Sequence, residues 1–432
     1  MAERQITFAA HGHILTNCNV WSPDSRRIVY DVRSDPAGAV FDGARIETID
    51  VETGEIRTLY ESRRGAMCGV ATYHPRENKM IFILGPENPS PDWTYSPSHR
   101  QGVMVEEANP GVAMHLDARD IVAPFTPGAL RGGSHVHVFS PDGQAVSFTY
   151  EDHVLASFAE ETATQHVNLR NVGVSVPVRG VTVPRSHPRN RDGAWFSVLV
   201  TRTTANPNPG SDEIKKAFEE SWVGTDGYAT ADGSRQARAL AFQGHVVDER
   251  DELVSEVFIV DLPDDLTVAG DGPLEGSAEL RPFPPRGTMQ RRLTYTTDRK
   301  FPGIQGPRHW LRSSSDGSQV AFLMRDDDGI VQLWTVSPLG GKPRQVTRNH
   351  WDIASAFTWS PDGRFVAHIM DGGVCITEMA SGNTRRLSKP EDNTPRPEAC
   401  VFSPDGRKIA YMKTVRQGDG EFNQIFVCDT NR

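Results

Sequence analysis

One pair of histidines in this chain is spaced for chemistry. His135-Val-His137 stands just ahead of the turn Phe139-Ser-Pro-Asp-Gly143. On an extended strand, a His-x-His pair puts two imidazoles on one face, about 7 Å apart at the backbone. A third histidine, His309, precedes a second turn, Ser314-Ser-Asp-Gly317. Counted back from the turn proline (Ser315 in the second turn), His135 and His309 share one register position and His137 lies two residues on. Three imidazoles facing the same way would hold a divalent transition metal such as Mn, Ni, Fe or Zn, with open positions for water or substrate. Gln305 offers an oxygen ligand, and Asn17 or Asn19 could replace it. The competing reading is a set of hydrogen-bonded polar residues in a wet channel.

Two arginines stand close to these histidines. Arg131 precedes Gly132-Gly133 and Arg308 adjoins His309. Either guanidinium could clamp a carboxylate bidentately and stand among the catalytic groups, or form an ordinary loop ion pair. Asn19 and Trp310 are the candidates for substrate contact. Trp93, Trp310 and Trp351 could stack on sugar rings, against the alternative of packing between structural units. His11-Gly-His13 is another His-x-His, in an expected loop. Arg325-Asp-Asp-Asp-Gly329 reads as a charged hairpin turn, because the remaining ligand spacing of a calcium loop is absent. No nucleophile elbow, phosphate loop or dinucleotide fingerprint occurs.

The elements that position these residues come from a repeat. Trp21-Ser-Pro-Asp-Ser25, Phe139-Ser-Pro-Asp-Gly143, Trp359-Ser-Pro-Asp-Gly363 and Phe402-Ser-Pro-Asp-Gly406 each precede a run of β-branched and aromatic residues. Weaker copies are Tyr73-His-Pro-Arg-Glu-Asn78, Ser314-Ser-Asp-Gly317 and, weakest, His187-Pro-Arg-Asn-Arg-Asp-Gly193. Proline presets φ and Asp-Gly turns the chain, so each copy joins two antiparallel strands. A second half ends in Arg-x-Leu/Val-Thr/Ser, as in Arg291-Arg-Leu-Thr294, Arg344-Gln-Val-Thr347 and Arg385-Arg-Leu-Ser388. Four strands repeated seven times predict an all-β, seven-bladed propeller, one domain over 1–432. Arg4-Gln-Ile-Thr7 matches Arg344-Gln-Val-Thr347, so the N-terminal strand is expected to complete the last blade. The long gap after Pro188 predicts insertions in blade four over 205–288. They would comprise an amphipathic helix from Ser211 to Trp222 and a Pro/Gly-rich loop over 264–288.

Composition restricts the partners. Lys and Arg total 46 against 56 Asp and Glu, a formal charge of −10, which argues against nucleic acid and anionic membrane surfaces. No apolar stretch reaches the length of a membrane span and the N-terminus lacks a leader pattern, so a cytoplasmic protein is expected. Five scattered cysteines without a CxxC pair read as small buried hydrophobes.

Leu130-Arg-Gly-Gly-Ser-His-Val-His-Val-Phe-Ser-Pro-Asp-Gly143, Pro307-Arg-His-Trp310, Phe322-Leu-Met-Arg-Asp-Asp-Asp-Gly329 and Pro209-Gly-Ser-Asp-Glu-Ile214 resemble the YidR family over nearly the whole chain. That resemblance implies a TolB-like propeller associated by name with biofilm formation. More distantly, His135-Val-His137 and His309 ahead of their turns resemble the metal-binding histidines of oligogalacturonate lyases, which carry Gln where this chain has Gly132. This second resemblance implies a metal-dependent lyase that cleaves a uronate oligosaccharide by β-elimination in the central channel, with His135, His137 and His309 as ligands. The alternative is a non-catalytic propeller that binds a protein or glycan partner.

Overall fold

The computed structural model describes residues 3–34, 40–161, 169–307, 310–390 and 393–430. Seven four-stranded antiparallel sheets run in chain order. Their inner strands begin with Gly12–Ile14, Cys68–Tyr73, Gly132–Phe139, Ala217–Trp222, Arg312–Ser313, Thr358–Trp359 and Pro395–Phe402. The core lies between neighbouring sheets, in clusters such as Val29, Ile46, Tyr73 and Phe82 between blades one and two. The ring closes as the repeat predicts, because Glu3–Gln5 pairs with Gly420–Asp429 as the outer strand of blade seven.

The repeated residues earn their places through hydrogen bonds. In the turns, Ser22, Ser360 and Ser403 donate to Asp24, Asp362 and Asp405 at 2.6 Å. Each serine Oγ also accepts the N–H five residues on, at 2.8–3.0 Å, closing the turn before the second strand. At the other end of the unit, the hydroxyls of Thr294, Thr347 and Ser388 accept third-strand N–H groups from Val257, Leu333 and Val374 at 2.9 Å. Thr7 does the same for Ile425 at 2.8 Å. The N-terminal strand therefore repeats the blade-end chemistry as well as its pattern.

Neighbouring inner strands are tied by indoles. Trp21, Trp222 and Trp359 donate Nε1–H to the carbonyls of Val401, Val138 and Arg312, each on the preceding blade, at 3.0–3.1 Å.

Blade four departs from the expectation. The stretch read as a helix forms a loop and then the inner strand Ala217–Trp222. Glu219 has φ +56 and the register shifts between Phe218 and Ser221, so a bulge adds one residue. Ile214, Ala217 and Trp222, the apolar positions of the expected helix, are instead buried in the cluster that spans blades three and four. The blade's turn is Gly224-Thr-Asp-Gly227, whereas His187–Gly193 lies in a loop before the outer strand of blade three, Phe196–Leu199. The stretch 205–288 supplies three blade strands. The extra chain within it is the small hairpin Tyr228–Ala229/Arg235–Gln236 and the loop after Asp261. The third insertion is a helix in blade three, His153–Glu161.

Candidate functional site in the axial channel

The inner strands set which side chains reach the axis, and bulges alter that setting. Val70, Val136 and Glu219 occupy equivalent places in blades two, three and four, and all three have positive φ (59°, 57° and 56°). Non-glycine residues rarely adopt this conformation, least of all β-branched ones. In blade three the bulge falls inside the His-x-His pair. His135 pairs with Thr149 and Val138 with Ser147, so one strand advances three residues while its partner advances two. His135 keeps the parity of Thr149, whose hydroxyl reaches Glu220 of blade four at 2.8 Å. His137 turns the other way, toward blade two, where a Cβ built on Gly102 would meet its Nε2 at 2.7 Å. The two histidines do not share a face.

His137 belongs to a buried relay. Its Nε2 lies 3.0 Å from Ser134 Oγ, which donates to Asp117 Oδ1 at 3.1 Å. Asp117 also accepts the Gly102 N–H at 2.9 Å. Burial lowers the His137 imidazole to about 3 and raises the Asp117 carboxyl. His135 is lowered too, first by burial and then by Arg100, and its Nδ1 is buried without a hydrogen-bond partner.

The remaining candidates scatter. Arg131 is fully buried, pairs with Asp152 at 2.9 Å, and donates to the Ser277 carbonyl in the long loop of blade four. Its role is to pin that loop over blade three. Gln305 donates to the Pro302 carbonyl at 2.8 Å, and Trp310 is half-buried ahead of the inner strand of blade five. Arg308 and His309 lie outside the described residues. Of the secondary candidates, His13 falls in the inner strand of blade one and stacks on His11 at 4.6 Å. Trp93 is packed between His99, Arg119 and Arg189, and Trp351 is exposed. Among the described residues, no three His, Cys, Asp or Glu side chains gather to hold a metal. His135 and His137 face apart and His309 lies outside the described residues, so the described residues alone do not make up the three-histidine set, and no step is derived through a metal.

What the channel does bring together is a different set. At the mouth formed by the turn motifs, a cavity of about 350 Å³ is lined by Asn19, Cys18, Trp21, Trp222, Trp359 and Arg312, among others. Arg312 Nη2 donates to the Oδ1 of Asn17, and Nη1 to the Leu311 carbonyl at 2.7 Å. Asn17 belongs to blade one and Arg312 to blade five. These blades are not neighbours in a ring of seven, so the contact crosses the axis. Arg312 Nε is buried without a partner, and no carboxylate among the described residues lies in ion-pair distance of this guanidinium. Glu220 projects toward blade three, and burial raises its carboxyl to about 7. Sequence reading missed Arg312 and Glu220. Arg312 sits one turn of the alternation away from the positions compared between blades, and Glu220 was hidden in the supposed helix.

These sheets define a seven-bladed propeller with a charged clasp across its axis. The uncharacterized protein YidR of Escherichia coli (strain K12) is 47% identical over 435 residues, which covers 100% of this chain and 98% of that one. The chain belongs to the YidR family. A family described as a protein of unknown function, DUF3748, matches residues 67–191. Among solved structures, an oligogalacturonate lyase in complex with manganese matches with a TM-score of 0.55 and 11% identity, over 99% of this chain and 92% of that one. The oligogalacturonate lyase of Vibrio parahaemolyticus matches with the same TM-score and identity, over 100% and 94%. At this identity the likeness is one of fold. No helix among the described residues is long and apolar enough to cross a membrane.

Proposed function

We propose that the axial cavity captures a carboxylate-bearing saccharide of the uronate type. The observation that carries this reading is Arg312, a buried guanidinium on the cavity wall with no ion-pair partner among the described residues and a bare Nε. A buried cation without a counter-charge is costly and invites an anion. On the same wall, the half-buried indole of Trp359 supplies flat apolar surface of the kind on which sugar rings stack. The fold neighbours act, by their names, on oligogalacturonate, which carries a carboxylate on each sugar. A glycan also suits a protein with a net charge of −10, provided the contact is local.

The test is a titration of the whole protein with oligogalacturonate and with its neutral methyl ester, read by tryptophan fluorescence and calorimetry. Saturable binding of the acid, weakened ten-fold or more by Arg312→Met and absent for the ester, is the expected result. Equal binding of acid and ester, or none of either, overturns it.

A second reading, metal-dependent β-elimination, is favoured by the buried, unpartnered Nδ1 of His135. It calls for an unsaturated product when manganese and oligogalacturonate are supplied together, with loss of that product in His135→Ala and His309→Ala. If substrate binds and no such product forms, capture without cleavage is the function.

A further inference from the structure

A guanidinium offers a carboxylate two parallel N–H groups along one edge, from Nε and Nη2, and a carboxylate has two oxygens to meet them. On Arg312 that edge is half filled. Nη2 is engaged by Asn17 Oδ1, with the Asn17 carbonyl oxygen at 3.4 Å, and Nε has no partner. The amide of Asn17 has a single oxygen and cannot span the edge. On the far side of the guanidinium, Nη1 donates to the Leu311 carbonyl at 2.7 Å. Taking the carboxylate reading of the cavity as its basis, we infer that Asn17 sets the specificity of this site. Its carboxamide oxygen occupies, in the free protein, the place on Arg312 that the ligand's carboxylate takes.

Three features of the surroundings support this. Asn17 is 4% exposed and Arg312 9% exposed, so the bond between them is sheltered from water and holds its strength. The contact spans the axis from blade one to blade five, so a ligand that displaces Asn17 enters from the cavity without parting two packed blades. Finally, Asn and Asp are isosteric, and the free protein carries the neutral member of the pair. An aspartate here would close the edge with an internal carboxylate and leave nothing for a ligand to do. The neutral amide holds the guanidinium in place while leaving its charge available.

Asn17→Ala and Asn17→Asp separate these roles, with Arg312→Met as the reference. Each full-length variant is titrated with oligogalacturonate, and its melting temperature is recorded without ligand. Asn17→Ala should bind about ten-fold more tightly than wild type, because the ligand no longer displaces an internal charged hydrogen bond. Asn17→Asp should lose binding by ten-fold or more and melt higher without ligand, since the internal ion pair satisfies Arg312. Asn17→Ser is the fallback if the alanine variant folds poorly, with the same direction expected. If Arg312→Met abolishes binding while Asn17→Ala and Asn17→Asp bind like wild type, the role of Asn17 is overturned and the carboxylate reading stands. If neither wild type nor Asn17→Ala binds the acid, both fall together.

Discussion

The ring is closed by a strand of only three residues, Glu3–Gln5, so side chains must do much of the holding. The carboxylate of Glu3 accepts from Lys413 Nζ at 2.6 Å and from the Tyr411 hydroxyl. The Lys413 side chain is 2% exposed and that of Glu3 21%. Glu3→Gln therefore removes a negative charge held 2.6 Å from a buried ammonium. Breaking a buried pair this way costs roughly 3–5 kcal/mol. Water reaches Glu3 from one side and Phe426 lies under the ammonium at 5.3 Å, which favours the lower end, about 3 kcal/mol. Unfolding entropy of about 2 cal/mol/K per residue gives about 0.9 kcal/mol/K for 432 residues. The melting temperature should then fall by about 3 °C, with the urea midpoint moving in step. Lys413→Met removes the charge along with its need for a partner, and Glu3→Gln should cost under about 1 kcal/mol in that background. A Glu3→Gln protein within about 0.5 kcal/mol of wild type, or an undiminished cost in the Lys413→Met background, would refute the account of closure.

Two further predictions concern the channel. His137→Ala should destabilise by about 2–4 kcal/mol, because it opens a cavity and strips Ser134 and Asp117 of their relay. His135→Phe should be neutral or stabilising, since it removes a buried nitrogen that has no partner; denaturant melts that rank the two the other way would contradict the assignment of faces. On pH, His137 and His153 are held near 3 and His13 and His368 near 4 by burial. The folded state keeps them neutral where the unfolded chain protonates them. Their contribution is whole above about 6.5 and is lost as pH falls toward 3. Glu220, raised to about 7 from 4.5, acts in the opposite sense: its contribution is present below 4.5 and is lost as pH rises through 7. Glu220→Gln should match wild type at pH 4.5 and melt higher above pH 7, and equal melting at both ends of that window would count against a buried neutral Glu220.

The fold was legible because its cues are local. Ser-Pro-Asp-Gly closes its own turn through bonds two to five residues long, and Thr7 could be matched to Thr347 because each caps the same third-strand N–H. The site was far less legible, and the reason is one residue in a strand. Reading His135 and His137 as one face assumes a period of two, and a period of two fails wherever a bulge intervenes. Val136 gives no warning, since valine is among the least expected residues at φ +57°. Only the packing of blades two to four, which places the same left-handed residue in three successive inner strands, holds it there. In blade four, Ser211, the acidic residues after it and Ile214, Ala217, Phe218 and Trp222 looked like a capped amphipathic helix, which hid Glu220 on what is a bulged strand. Arg312 escaped for a complementary reason. Its partner, Asn17, lies 295 residues away, and no pattern within a blade signals a contact that exists only because the ring closes. The parts of the sequence that specify the blades repeat, and the clasp on which the proposed capture depends is made where the repeat is broken.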